Sequence, residues 1–362
     1  MDPHAVFCPN LACPARGQQG RGNIRILSQR EGRYDCKLCN QSFSETTGTP
    51  FFRCRVEAEL ITLVLTLIAY GCPVMAIVKA FGFQARTVRR WVVVSGAHCR
   101  QVHEHRVLPQ ELVHVQADEL RVKLQGRVVW LGMALAVSSR LWLGAVVSAQ
   151  RDRRLLAQVA HLVRRWSVPG PLLVAVDGLP GYVTAFRQAL REPLRTGKAG
   201  RPRLVAWPGV VIGQVVKQYE RRRVVGVSRR LVQGSEAELG RLIQESEGGR
   251  VLNTAFIERL NATFRARLSL LVRRTRQLGR QPERLEAAVY LIGTVYNFCG
   301  EHTSIPIGGK PATPALLAGL TDHCWSVAEL LWDRVPPPPW CPPKRRGRCS
   351  RADQELRKRW AS

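Results

Sequence analysis

The sequence predicts a multidomain protein: a small unit built on four cysteines, an all-α unit, and a larger α/β core with a mixed sheet. Three observations carry this prediction. Cys8, Cys13, Cys36 and Cys39 stand in two close pairs near the start; three helical patterns follow between Val56 and Val94; from Val113 onward, strand and helix patterns alternate. The chain has 362 residues, 45% of them hydrophobic, which suffices for a substantial core over two or three units and excludes a disordered chain.

The first unit is expected over residues 1–53. Its cysteines lie in FCPNLACP and YDCKLCNQ, separated by a basic stretch containing a strand pattern from Asn23 to Leu27. This is a zinc-ribbon spacing, with each pair on a tight knuckle. Four thiolates leave no position for water, so one structural Zn2+ is the expected ion. The competing reading, free or disulfide-paired cysteines, fits less well, although the first pair is wide, with four residues between its members. Arg16, Arg21, Arg25, Arg30, Arg33 and Lys37 decorate the unit and most simply touch phosphate.

Residues 54–100 read as helices. Val56 to Tyr70 is a long apolar pattern, Pro73 opens a second helix to about Ala80, FGF supplies a turn, and Ala85 to Val94 starts a third helix. That order resembles a helix-turn-helix, whose last helix enters the major groove. Val88, Trp91 and Val92 would face the core and leave Arg86, Thr87, Arg89 and Arg90 outward. His98 and Cys99 invite a second metal site, yet such a lone pair is more often incidental. Residues 101–110, with Pro109, read as a linker.

The α/β core is expected over 111–334. In VHVQADEL, Val113, Val115 and Ala117 alternate with His114, Gln116 and Asp118, so a strand ending here aims Asp118 away from the buried face and favours it over Glu119. Leu120 to Ser148 reads as two or three hairpin strands, Arg151 to Trp166 as a helix, Leu172 to Val176 as a strand buried on both faces and closed by Asp177, and Tyr182 to Leu190 as a helix. The order places the first and fourth strands side by side, which makes Asp118 and Asp177 neighbours. Residues 191–250 read as a basic insertion with a strand at Leu204 to Trp207, a second apolar stretch at Val210 to Val216 and positive charge at Lys217, Arg221, Arg222 and Arg223. In NTAFIERLNATFRARLSLLVRRT, Ile257, Leu260, Phe264, Leu268 and Leu271 form an apolar helical stripe, with Glu258, Asn261 and Arg265 on another face. Leu285 to Phe298 is a second apolar helix. His302 could position water or a phosphate, or serve structure alone. Residues 335–362, with PPPPW and CPPKRRGR, read as an extended, basic, mobile tail in which Cys341 and Cys349 lack a metal partner set.

Asp118, Asp177 and Glu258 together make an Asp, Asp, Glu set, the oxygen donors that hold magnesium while leaving positions for water and phosphate. The run around Glu258, followed by YNFCGEHTSI and PATPALLAGLTDHCWSV, resembles the catalytic C-terminal part of the DDE transposases of the insertion-sequence-one family and its relatives. The resemblance extends more loosely over nearly the whole chain, since that family carries a zinc-binding segment and a helix-turn-helix before a ribonuclease-H-like core. It implies that Asp118 in ADEL, Asp177 in VDGLPGY and Glu258 in IERLN are the catalytic places. It also implies a DNA transposase that cuts the ends of its element and joins them to target DNA. Each site would hold two Mg2+, or Mn2+ in their place, roughly 3.5–4 Å apart. Asn261 and Arg265 would contact DNA near the cleaved phosphate. Joining two ends asks for a homo-oligomer, at least a dimer. The chain departs from the family in the long basic stretch before Glu258 and in its tail.

Charge agrees with a nucleic-acid partner. There are 55 Lys and Arg against 27 Asp and Glu, a formal +28, which implies a polyanion and, first of all, double-stranded DNA. The apolar runs are broken by charges before they could span a bilayer, and no signal-peptide pattern opens the chain, so the expected setting is the bacterial cytoplasm, near the nucleoid. Two other functions compete: a ribonuclease-H-type DNA nuclease or resolvase that cuts without joining, and a DNA-binding regulator with a degenerate core.

Overall fold

The computed structural model describes residues 1–195, 197, 200–221, 223–272, 279–342 and 349–360. It opens with a three-stranded antiparallel sheet of β1 (Ile24–Ser28), β2 (Arg33–Cys36) and β3 (Ser42–Ser44), followed by helices α1 (Ala58–Ala69), α2 (Val74–Phe81) and α3 (Ala85–Arg106). Next come β4 (His114–Leu124), β5 (Arg127–Ala136), β6 (Trp142–Ser148), α4 (Arg153–Trp166), β7 (Leu172–Asp177) and α5 (Pro180–Ala189). The chain continues through β8 (Arg191–Leu194), β9 (Arg203–Ala206), β10 (Val210–Glu220), β11 (Arg223–Gln233) and α6 (Glu236–Glu245). It closes with α7 (Ala255–Arg267), α8 (Pro282–Phe298), β12 (His302–Ile307), β13 (Lys310–Ala312), α9 (Pro314–Leu317), α10 (Val327–Trp332) and α11 (Arg351–Trp360). No described helix is long and apolar enough to cross a membrane.

The chain divides into two compact units, one of Met1–Ile61 with Leu331–Ser362 and one of Thr62–Leu330. The larger unit is mixed α/β and is organised by a six-stranded sheet in the order β11-β10-β7-β4-β5-β6. β4, β5 and β6 form an antiparallel meander; β7 runs parallel to β4 and β10 parallel to β7; β11 returns antiparallel at the edge. One face packs Val115, Ala117, Val174 and Val176 against α4 and α5. On the other face, Leu120, Val122 and Leu124 meet α7 and α8, while Leu173, Ala175 and Val211 meet α6. With both faces covered, the even residues of β4 are not solvent-facing: His114 and Gln116 are buried although they alternate with the apolar positions.

Four expectations are corrected here. The first strand does not stop at Asp118 but runs on to Leu124 as half of a long hairpin with β5. α3 extends to Arg106, so the linker expected over 101–110 is helix for most of its length, and Val102 and His103 are buried. Nor are residues 191–250 an addition to the sheet: they supply two of its six strands, β10 and β11, as well as α6. Finally, the proline-rich tail docks within its unit. The Arg16 guanidinium donates to the carbonyls of Pro338 and Pro339 at 2.8 and 2.9 Å, and Trp360 of α11 is buried beside Tyr34 and Phe43.

Candidate metal centre and carboxylate cleft

In the smaller unit, the four cysteines meet. Their Sγ atoms all lie within 4.8 Å of one another, with Cys8 to Cys39 at 3.7 Å and Cys13 to Cys36 at 3.9 Å. Sulfurs at the corners of a tetrahedron with bonds of about 2.3 Å stand about 3.8 Å apart, so the spacing fits zinc. The knuckles are made by the backbone. Asn40, at φ 54°, donates its N–H to the Cys36 carbonyl at 2.7 Å, and Gly17, at φ 71°, donates to the Cys8 carbonyl at 3.1 Å. Burial pushes the Cys13 thiol up to about 12 and raises Cys8 as well, whereas at Cys39 hydrogen bonds with Asn10, Gln41, Cys8 and Cys13 outweigh burial and lower the thiol. Arg16, expected to touch phosphate, is used to hold the tail, and Arg25 pairs with Asp35 at 2.8 Å.

The cleft of the larger unit is about 660 Å3, and Asp118, Asp177 and Glu258 all line it. Strand register brings the first two together. Pairing of His114 with Leu173, Val115 with Val174 and Gln116 with Ala175 carries an offset that sets position 118 opposite position 177. Glu258 arrives from the first turn of α7, and that helix is pinned to β4. Gln116, fully buried and two residues before Asp118 on the same face, accepts the otherwise unmatched Ile257 N–H at 2.9 Å and donates to the Asn253 carbonyl at 2.8 Å. One turn after Glu258, Asn261 donates to Asp118 Oδ2 at 2.7 Å. Sequence reasoning missed Gln116; a buried amide on the face that carries a candidate carboxylate was the only signal available.

Two cations balance the carboxylates. Lys217, two residues beyond the Val215 that pairs with Asp177, reaches Glu258 Oε1 at 2.5 Å, and the Thr254 hydroxyl donates to the same oxygen at 2.7 Å. Arg151 lies 3.3 Å from Asp177 Oδ2 and also pairs with Glu119. The side chain of Glu119, which points to the α4–α5 face, is wholly buried and accepts a 2.5 Å hydrogen bond from the Tyr182 hydroxyl. Carboxylate oxygens of Asp118, Glu119 and Asp177 fall within 4.8 Å of one another, a group that could hold a metal ion; Glu258 stands further off in the same cleft. Burial, together with the charges of Glu119, Asp177 and Glu258, pushes Asp118 up to about 7.

The residues expected to meet DNA are placed as follows. Arg86, Arg89 and Arg90 are exposed on the opening turns of α3, Thr87 is half-buried, and Val88 and Trp91 are buried behind them. Arg221 and Arg223 are exposed at the β10–β11 turn; Arg222 lies outside the described residues. Arg265 lines the cleft. Lys217 faces Glu258 in the cleft, apart from the turn arginines. Asn261 is buried and spends its amide on Asp118, so it orients a carboxylate instead of meeting DNA. His98, rather than joining a metal site with Cys99, bonds the Leu330 carbonyl at 3.2 Å. No protein-family model matches the chain, and no curated protein matches it either.

Proposed function

We propose that the chain is a DDE-type DNA transposase, related to the insertion-sequence-one family, that binds the ends of its element, cuts them and joins them to target DNA. The observation that carries the reading is the convergence of Asp118, Asp177 and Glu258, from β4, β7 and α7, in one cleft. The sheet order supports it, since the first and fourth strands of the core lie side by side as a ribonuclease-H-like core requires. The exposed arginines of α3 and the formal charge of +28 support a DNA partner.

The donor set fits magnesium: hard carboxylate oxygens whose mutual repulsion adds to burial in raising Asp118 and which Lys217 and Arg151 partly offset. Bound at Asp118, Asp177 and Glu258, Mg2+ would supply activation of water and charge stabilisation on the scissile phosphate. The chain's own residues do the positioning. Gln116 and Asn261 hold the α7 carboxylate in register with Asp118, and the Leu179 N–H, donating at 3.0 Å, fixes Asp177 Oδ1. Lys217 and Arg265 offer positive charge to the DNA backbone from the cleft wall. Cutting frees a 3′ hydroxyl, which serves as the nucleophile in joining, so no covalent protein intermediate is required. Incubation of labelled DNA carrying the element's ends with Mg2+ tests the assignment. Asp177→Ala is expected to abolish cutting while DNA binding persists, and cutting that survives at the native rate would overturn it.

A further inference from the structure

Arg151 stands between two carboxylates that hold it unequally. It lies at the entrance of α4, where the Asp152 side chain accepts the Leu155 N–H at 3.0 Å and fixes the first turn, and its guanidinium packs over the Trp130 ring of β5 at 5.2 Å. On one side, Nε and Nη2 both meet Oε1 of Glu119, a side chain wholly closed to water. On the other, Nη2 reaches Asp177 Oδ2 at 3.3 Å, and there 38% of the acid's side chain is exposed. Parting the arginine from a buried acid is costly, because the acid would be left charged and unpaired, whereas an exposed contact is worth little. Arg151 is therefore anchored on Glu119 and only rests on Asp177.

Both oxygens of Glu119 are committed. Oε1 takes the guanidinium, and Oε2 accepts the hydroxyl of the fully buried Tyr182 at 2.5 Å. Its closeness to the oxygens of Asp118 and Asp177 thus reflects an arginine shared with Asp177 and not a further metal ligand. Asp177 is divided differently. Oδ1 accepts the Leu179 N–H at 3.0 Å, which sets the carboxylate without help from Arg151, and Oδ2 is the oxygen left for a cation. That oxygen is the one Arg151 meets.

We propose that Arg151, held on Glu119, competes with Mg2+ for Asp177 Oδ2 and so sets how tightly the cleft takes the ion. The inference rests on the magnesium reading of the cleft and not on the cutting or joining of DNA. A guanidinium 3.3 Å from this oxygen and a divalent ion bound to it would stand a few ångströms apart, where like charges repel even near solvent. Mg2+ gains Oδ2 as the arginine withdraws, and the second contact lets it withdraw without leaving Glu119 unpaired. Only a planar fork spans both acids in this way; an ammonium is a single point of charge.

The test uses two variants of the full chain that keep the charges of the Glu119 pair in balance. Arg151→Lys leaves a cation on Glu119 and takes the second contact from Asp177, and Glu119→Gln with Arg151→Gln removes acid and base together. Thermal unfolding is followed against Mg2+ at pH 8, and the midpoint of the saturable gain is read. It is expected at about threefold lower Mg2+ for Arg151→Lys, the size of one exposed pair, and at about tenfold lower for the double variant. A midpoint moving to lower Mg2+ is the reverse of what damage to the site produces, so a merely structural role would not give it. Native midpoints in both variants overturn the competition and leave the metal site standing. A weaker response in the double variant, with Arg151→Lys unchanged, makes Glu119 a ligand and overturns it as well. If the native chain and both variants all ignore Mg2+, the magnesium reading fails and the competition with it. Should one variant fold poorly, the other decides.

Discussion

Asp118 concentrates the tension in the cleft. Its carboxyl is raised from the usual value near 3.8 to about 7 by burial first and then by Glu119, Asp177 and Glu258, so the folded chain binds a proton there that the unfolded chain has already lost. Stability therefore falls as pH rises from about 4 to 7, and the full penalty stands above pH 7. Without metal, Asp118→Asn is expected to stabilise the protein at pH 8 by on the order of 2 kcal/mol, with the gain vanishing near pH 4. Thermal unfolding at the two pH values checks this; equal stabilisation at both would show that the site is not strained by charge. Mg2+ should raise the melting temperature of the native chain and leave that of the variant unmoved. Strand alternation in the sequence separates Asp118 from Glu119 correctly, since the two point to opposite faces. What it cannot supply is the partner: the Ile257 N–H and the Asn261 amide that reach this face of β4 lie more than a hundred residues later. The even face of β4 consequently reads as open when it is covered.

At the scale of the element, cysteine spacing was legible because metal geometry is local, and the sequence carries it in two short turns. The tail was not legible. Polyproline has no periodicity to announce what it packs against, and the Arg16 contacts to Pro338 and Pro339 join positions more than three hundred residues apart. Since Cys8, Cys13, Cys36 and Trp360 share one buried cluster, the cysteine site and the tail are coupled. Removal of zinc with a chelator, or Cys36→Ser, is expected to unfold this unit and shift the emission of Trp340 and Trp360 to the red, because structural zinc supplies a large part of the folding free energy of so small a unit. Emission that does not move on chelation would mean that the cysteines are structural without metal. The strands β10 and β11 show another limit. Val224, Val225, Val227, Leu231 and Val232 have the branched, apolar character of a strand, but Arg223, Arg229 and Arg230 among them look like a solvated charge run, and only pairing with β10 reveals the ladder.

For the whole molecule, the order of elements carried more information than any single motif. A meander followed by a helical return to a parallel strand leaves few ways to arrange a sheet, and the resulting order β6-β5-β4-β7-β10-β11 places β4 beside β7, with their carboxylates level. Glu258 completes the set because Gln116 fixes where α7 begins. Part of the excess positive charge is exposed on the opening turns of α3, at Arg86, Arg89 and Arg90. The central claim is that this cleft cuts and joins DNA, and it is tested most directly by strand transfer of labelled element ends into a target with Mg2+, comparing the native chain with Glu258→Gln. Glu258 is half exposed, so the variant keeps its fold. The account predicts joined product from the native chain and none from the variant, with equal DNA binding by both. Cutting without joined product would contradict transposition and leave a nuclease, and joining that persists in the variant would remove Glu258 from the site altogether.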